Sequence, residues 1–269
     1  MIETAIDKIR SECLSFGEKS LHMETYRQYY DLSFQEGLHD YGYITTSGFD
    51  LFVQQFRPPV CKERVFLLHG YLDHAGSLNK TIRMLVENHY EVIVYDLPGH
   101  GLSSGERLTI NSFEEYFHTA KGIFDFFFKD VSPLLVAHST GGAIALTLVK
   151  NKDASFSKMV LVAPLFRPHL WRLSKIGLFI TRPFLKDLRR VFSRNSGDEA
   201  YLAFTKQDPL QEKMLPVSWL KALGNWLQLE NNQPYEDIRF LMIQGSGDRT
   251  VNVGYGEKRV KSIYLIAKS

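Results

Sequence analysis

The sequence of 269 residues predicts an α/β fold, with a mostly parallel β-sheet and helices on both of its faces. Two observations lead to this prediction. Short apolar runs typical of buried strands alternate along the chain with longer segments that fit helices. Polar residues stand directly after several of these runs, and ligands of such sheets bind at the carboxyl ends of the strands. The chain is long enough to bury a sizeable core.

The elements follow one another in a regular order, with one interruption. The predicted strands are 41–46 and 51–56, which form a hairpin at a sheet edge, followed by 64–68, 91–95, 133–137, 158–163, 239–244 and 263–267. The predicted helices are 78–88, 112–129, 143–150 and 253–261. Between 164 and about 235 the alternation breaks. We therefore expect an N-terminal extension (1–40), a core (41–163 and 236–269) and a helical cap insertion (164–235).

A nucleophile elbow is predicted around Ser139. This residue stands between the apolar strand 133–137 and an apolar helix, so that a sharp turn would hold its hydroxyl clear of both. Gly141 and Gly142 allow the helix to pack close to the strand, where a Cβ would clash. The usual pattern is G-x-S-x-G, and Ala137 takes the place of its first glycine. The simpler alternative is that Ser139 only caps the helix.

Four motifs, in order, make the chain resemble the α/β-hydrolase fold. They are LLHGYLDHAG (67–76), YDLPGHGLSSGER (95–107), LLVAHSTGGAIAL (134–146) and LMIQGSGDRTV (241–251). More narrowly, the chain is similar to the monoacylglycerol lipase and bacterial lysophospholipase group, which is classed with serine aminopeptidase-type hydrolases. The resemblance covers roughly residues 41–267.

The resemblance implies roles for individual residues. Ser139 would be the nucleophile, and the backbone N–H groups of Tyr71 and Thr140 would face the oxyanion. Asp248 would orient a catalytic histidine, although the composition of its segment also suits a plain turn. Asp208 and Asp237 are weaker alternatives for the acid, because neither follows an apolar strand. This chemistry requires no metal and no organic cofactor.

The upstream histidines are expected to be structural. His69 belongs to the predicted oxyanion loop and His100 to the Pro-Gly-His-Gly loop. The side chain of His138 is expected to point away from Ser139 and to pack, and His74 is expected at the loop surface. The context of His169 in the insertion supports no role.

The triad histidine is missing from its expected place. In this fold it follows the acid in sequence, yet no histidine follows Asp248, and all nine histidines lie at or before His169. The simplest explanation is a C-terminal end truncated just before the general base. The alternative is a protein that binds its ligand without turning it over.

The first part of the insertion is both basic and apolar. Residues 165–194 carry eight positive side chains, which are Arg167, Arg172, Lys175, Arg182, Lys186, Arg189, Arg190 and Arg194. Apolar and aromatic residues are interleaved with them, which predicts a cap over an acyl pocket that contacts anionic membrane lipids. The alternative is an ordinary solvated helical cap. Trp219 and Trp226 are seven residues apart and are expected to share a buried helix face.

The most favoured function is therefore a serine hydrolase of lipid carboxylic esters, with a lysophospholipid or monoacylglycerol as substrate. A short-chain esterase or an aminopeptidase would share the fold, but an aminopeptidase would need acidic cap residues for the substrate amine. Nucleic-acid binding lacks any motif. The N-terminus lacks the apolar run of a signal peptide, and no stretch approaches the length of a bilayer span. We therefore expect a cytoplasmic location, with peripheral contact to the inner face of the membrane.

Overall fold

The predicted alternation of strands and helices is confirmed in the structure, a computed structural model. It describes residues 1–34, 38–171, 186–189, 197–230, 238–259 and 263–265. The strands are β1 (His39–Thr46), β2 (Phe49–Phe56), β3 (Glu63–Leu68), β4 (Tyr90–Tyr95), β5 (Leu134–His138), β6 (Lys158–Val162), β7 (Asp187–Arg189), β8 (Met214–Pro216), β9 (Phe240–Ile243) and β10 (Ile263–Leu265).

Eight of these strands form one sheet in the order β1-β2-β4-β3-β5-β6-β9-β10. The hairpin β1–β2 is antiparallel and lies at the edge, as predicted, and β2 pairs antiparallel with β4. The pairs from β4 onwards are parallel. The carboxyl ends of β3, β4, β5, β6 and β9 therefore meet at one edge, which is where the candidate site residues were predicted to gather.

Helices cover both faces of this sheet. They are α1 (Ile2–Glu12), α2 (Met23–Tyr29), α3 (Asn79–Glu87), α4 (Phe113–Phe128), α5 (Thr140–Lys150), α6 (Glu199–Gln207), α7 (Val217–Glu230) and α8 (Val253–Arg259), and a 3-10 turn (Ala75–Leu78) precedes α3. Ser112 caps α4 by accepting from the N–H of Glu114, and the acidic first turn of this helix suits the helix dipole.

Two hydrophobic cores lie on opposite faces of the sheet. Along β3, Phe66 and Leu68 are buried in one core, whereas Val65 and Leu67 are buried in the other. This division follows from the alternation of side chains along a strand. Strands that are apolar on both faces are typical of a parallel sheet with helices on each side.

The first forty residues contribute to the second of these cores. Ile6 and Ile9 of α1 are buried there, together with Tyr26 and Tyr30 of the segment around α2. The chain N-terminal to β1 thus packs against the sheet. The division into an extension, a core and a cap insertion stays a prediction.

The insertion contains two described helices, α6 and α7, and a small antiparallel ribbon made of β7 and β8 that the sequence did not predict. Trp219 and Trp226 are both buried on α7, which confirms their predicted shared face. Most of the basic segment 165–194 falls outside the described residues. Within the described part of the chain, no helix is long and apolar enough to cross a bilayer.

Candidate active site

Ser139 occupies the turn between β5 and α5 in a strained backbone conformation. Its φ is 49° and its ψ is −113°, a region that residues other than glycine rarely adopt. The surrounding structure stabilises this conformation: the Ser139 N–H donates a hydrogen bond to the carbonyl of Val162 on β6 at 3.0 Å. A serine at a strained strand-to-helix turn has the geometry of a nucleophile elbow.

Three glycines make this turn possible. A Cβ on Gly141 would lie 2.7 Å from the carbonyl oxygen of Leu68, and one on Gly142 would lie 2.9 Å from the Cβ of Pro164. A Cβ on Gly70 would lie 3.0 Å from the Ser139 Cβ. The predicted close packing at Gly141 and Gly142 is confirmed, and the backbone at Gly70 passes directly beside Ser139.

The two candidate oxyanion residues line the same cavity as Ser139. Thr140 is the buried first residue of α5, where backbone N–H groups are not used by the helix itself. Tyr71 follows Gly70, and its ring stacks on Trp219 of α7 with 3.6 Å between ring centroids. The Tyr71 hydroxyl also donates to the carbonyl of Leu108 at 3.0 Å. These contacts hold the Tyr71 segment against the elbow.

Asp248 follows β9 and lies in a turn that engages both of its carboxylate oxygens. Oδ1 accepts from the N–H groups of Thr250 (2.7 Å) and Val251 (3.0 Å). Oδ2 accepts from the Gln244 side-chain amide at 2.9 Å. Asp248 lies past the end of β9, as the sequence predicts. Its hydrogen bonds also stabilise the turn, which is the alternative role considered for this residue. Asp237, the second alternative acid, lies outside the described residues.

His69 and His100 are structural, as predicted. The ring of His69 is fully buried, accepts from the N–H of Leu97 at Nε2 and donates from Nδ1 to the carbonyl of Gly70. His100 donates from Nδ1 to the carbonyl of Pro98, and burial lowers the pKa of His100 to about 3. Both rings are therefore neutral supports of the loops beside Ser139.

The expectation that His138 only packs is wrong. Its side chain is 41% exposed, and Nδ1 lies 3.3 Å from the carboxylate of Asp73. Partial burial opposes the charged ring, but the Asp73 carboxylate raises the pKa of His138. His138 is the last residue of β5 and lies at the edge of the sheet. Asp73, in the loop after β3, is therefore close enough to pair with it. The backbone of Gly70 touches both His138 and Ser139, because a Cβ added at Gly70 would lie 3.0 Å from His138 Nδ1 and 3.0 Å from the Ser139 Cβ.

The expectation that His74 lies at the loop surface is also wrong. His74 is 1% exposed, and its Nε2 lies 2.8 Å from the Asp208 carboxylate at the end of α6. The Tyr30 hydroxyl donates to the same carboxylate at 2.7 Å. Burial opposes ionisation of both groups, yet their mutual attraction raises the pKa of His74 and lowers that of Asp208. Asp208, the weaker alternative acid, is thus paired with His74.

A cavity of about 220 Å³ opens beside Ser139. Its lining is mainly apolar and comes from the loop after β3, the Ser139 turn and α7, among other segments. The residues include Tyr71, Ser139, Thr140, Trp171, Trp219 and Val251. Such a lining suits an acyl chain or another apolar group next to the serine hydroxyl.

The described site shows no general base in contact with the Ser139 hydroxyl. Among the described residues, no side chain forms a hydrogen bond with Ser139 Oγ. The structure also places no group of three or more histidine, cysteine, aspartate or glutamate side chains where it could hold a metal ion, within the ranges described above. The arrangement offers a candidate nucleophile, Ser139, beside an apolar cavity.

The sheet order, the helices on both faces and the serine elbow define an α/β-hydrolase. Solved structures share this fold. A soluble variant of monoglyceride lipase from Saccharomyces cerevisiae has a TM-score of 0.72 and 18% identity, over 88% of this chain and 87% of that protein. The monoacylglycerol lipase of Paleococcus ferrophilus has a TM-score of 0.65 and 21% identity, over 80% and 87%.

Sequence comparison narrows the class to a family. The family model described as serine aminopeptidase, S33, matches residues 60–265, and the chain belongs to this family. Monoglyceride lipase from Mus musculus is 28% identical over 84% of this chain and 76% of the relative. Phospholipase YtpA from Bacillus subtilis is 24% identical over 70% and 76%.

Proposed function

We propose that this chain is a serine hydrolase that cleaves carboxylic esters of lipids, with a lysophospholipid or a monoacylglycerol as substrate. The observation that carries the proposal is Ser139, held in a strained turn at the wall of a mainly apolar cavity. The names of the relatives support it, since both a monoglyceride lipase and a phospholipase resemble this chain over most of its length.

In this proposal Ser139 Oγ attacks the ester carbonyl and forms an acyl-enzyme, and the alcohol or glycerophospho group leaves. The N–H groups of Tyr71 and Thr140 stabilise the developing oxyanion. The ring stack on Trp219 keeps the Tyr71 segment in place. Asp248 would support a histidine base in a complete triad; without one, solvent water accepts the Ser139 proton, the leaving alcohol takes a proton from solvent, and a second water releases the fatty acid.

A binding protein without turnover is the second candidate. It is favoured by one observation, which is that no described side chain forms a hydrogen bond with the Ser139 hydroxyl. A short-chain esterase or an aminopeptidase is the remaining option, because the fold alone does not fix the substrate. The basic composition of residues 165–194 disfavours a substrate amine.

The test is release of fatty acid from monooleoylglycerol and lysophosphatidylcholine, measured beside hydrolysis of short p-nitrophenyl esters and an amino-acid anilide. We expect release from at least one lipid, and we expect Ser139→Ala to abolish it. Ser155→Ala serves as the matched control, because Ser155 is exposed and bonds only Ser132 among the described residues. Equal lipid hydrolysis by Ser139→Ala and the unaltered chain would overturn the proposal. Faster hydrolysis of the anilide would favour an aminopeptidase.

We further propose that residues 165–194 bring the protein to anionic membrane surfaces. Their eight positive side chains and interleaved aromatic residues support this. We expect binding to vesicles that contain phosphatidylglycerol, and weakening as salt rises, because charges at a surface are screened within about 8–10 Å near physiological ionic strength. Vesicle sedimentation at several salt concentrations measures it. Equal binding to neutral and anionic vesicles at low salt would contradict the prediction.

A further inference from the structure

A second cavity, of about 340 Å³, lies away from Ser139, between α1, the β1–β2 hairpin and the loop that follows β4. Its lining is unlike that of the first cavity, because it contains two guanidinium groups and several hydroxyls. The residues that matter are Arg10, Cys13, Tyr43, Ser104, Arg107 and Asp50.

The two arginines converge on one backbone atom. Arg10 donates to the carbonyl oxygen of Gly101 at 2.7 Å, and Arg107 donates to the same oxygen at 3.0 Å. Arg107 also donates to the carbonyls of Ser103 and Gly105. Two like charges are therefore held side by side by neutral acceptors.

No carboxylate neutralises this pair within the described part of the chain: neither arginine has an acidic oxygen within 4.0 Å there. Asp50 also lines the cavity, but its Oδ1 accepts from the Thr45 hydroxyl at 2.6 Å. Burial and the neighbouring Arg10 charge lower the pKa of Arg107, and the carboxylates of Glu212 and Asp96, which lie beyond ion-pair distance, oppose this shift only in part. Holding two cations together without a carboxylate in direct contact is costly.

Donors in the cavity also lack partners. Nε of Arg10 is shielded from solvent and has no hydrogen-bond partner among the described residues. The Ser104 hydroxyl accepts from the Asp50 N–H at 2.8 Å, which leaves its own proton to donate. A buried donor without an acceptor is rare in proteins, so Arg10 Nε is available to an acceptor that enters the cavity.

We propose that this cavity binds a phosphate group, presented either by a small phosphorylated molecule or by a phospholipid head group. The two guanidinium groups carry two positive charges, which a phosphate with up to two negative charges matches better than a carboxylate with one. The inference does not depend on the proposed hydrolase function, because it uses none of the residues around Ser139.

The two cysteines of the chain provide the test within one molecule. Cys13 and Cys61 are both free and exposed, but only Cys13 lines the cavity. The rate of alkylation by iodoacetamide is measured at each cysteine by peptide mass spectrometry, in inorganic phosphate and in chloride at equal pH and ionic strength. We expect phosphate to slow alkylation of Cys13 in a saturable way, by about tenfold once it reaches about ten times its dissociation constant, and to leave Cys61 unchanged.

Substitutions on α1 assign the effect to the arginines. Arg10→Gln is expected to weaken phosphate protection of Cys13 about tenfold, because a charge-assisted hydrogen bond is lost. Lys8→Gln removes the same charge from an exposed position on the same helix and is expected to leave protection intact.

Protection by phosphatidylcholine vesicles as well as by inorganic phosphate identifies a head-group site, and protection by phosphate alone identifies a soluble ligand. No difference between phosphate and chloride at Cys13 would overturn the proposal, as would an equal loss in Lys8→Gln.

Discussion

Replacing Asp208 with asparagine is expected to lower the free energy of unfolding by roughly 3–5 kcal/mol, the usual cost of breaking a buried ion pair. The carboxylate is fully buried, pairs with His74 and accepts from the Tyr30 hydroxyl. The substitution leaves the buried imidazole without a counter-charge. The three side chains come from the segment after α2, the loop after β3 and the end of α6. The substitution therefore weakens the contacts between three segments that are distant in the sequence. Urea denaturation followed by circular dichroism measures it.

Asp125→Asn is the matched control, because Asp125 forms an exposed ion pair with Lys121 one turn away on α4. We expect it to cost less than about 1 kcal/mol. Equal losses in the two variants would show that the Asp208 pair contributes no more than a surface pair.

The same pair predicts a dependence of stability on pH. The pKa of His74 is raised in the folded protein, so its contribution is complete below the unfolded value of about 6.5 and is lost as the pH rises through the folded value. The pKa of Asp208 is lowered, so its contribution is present above about 3.9 and is lost as the pH falls. The pair therefore stabilises most between these limits, and Asp208→Asn should reduce the loss of stability above pH 6.5. An unchanged pH profile in that variant would contradict this.

Turnover by the 269-residue chain is expected to be slower by on the order of 10⁴-fold or more than in hydrolases with a complete triad, since removing the triad histidine has at least this effect. No described side chain bonds Ser139 Oγ, and the histidine adjacent in sequence, His138, is paired with Asp73. Imidazole added to the buffer should raise the rate of p-nitrophenyl ester hydrolysis, because it supplies a base near neutral pH. The increase should be absent in Ser139→Ala, which separates it from catalysis by imidazole in solution.

His138→Gln tests whether His138 itself supplies the base. If His138 does not act as the base, the variant keeps the slow rate and its response to imidazole. Ordinary enzyme rates in the unaltered chain, lost in His138→Gln, would instead assign the base to His138.

The sheet could be predicted because each of its main strands corresponds to a local run of apolar residues in the sequence. The runs of β3 and β4 are apolar on both faces, and the helices between them have their own periodicity. The order of the strands could not be predicted, since the placement of β4 between β2 and β3 depends on which distant edges pair. The β7–β8 ribbon was missed because each strand has only three residues.

The elbow could be predicted because Ser139 and its glycines are adjacent in the sequence. His74 was misplaced for the opposite reason. A polar residue in a loop ordinarily reaches solvent, and its burial here depends on Asp208, which is 134 residues away. The pairing of His138 with Asp73 and the meeting of Arg10 with Arg107 are likewise long-range contacts that local patterns do not contain.

The central claim is that Ser139 is the nucleophile of a hydrolase. Incubation of the chain with a fluorophosphonate, followed by digestion and mass spectrometry, tests it most directly. We expect slow covalent labelling of Ser139, faster labelling when imidazole is present, and none in Ser139→Ala. Labelling that persists in Ser139→Ala, or that falls on another serine of the unaltered chain, would contradict the claim.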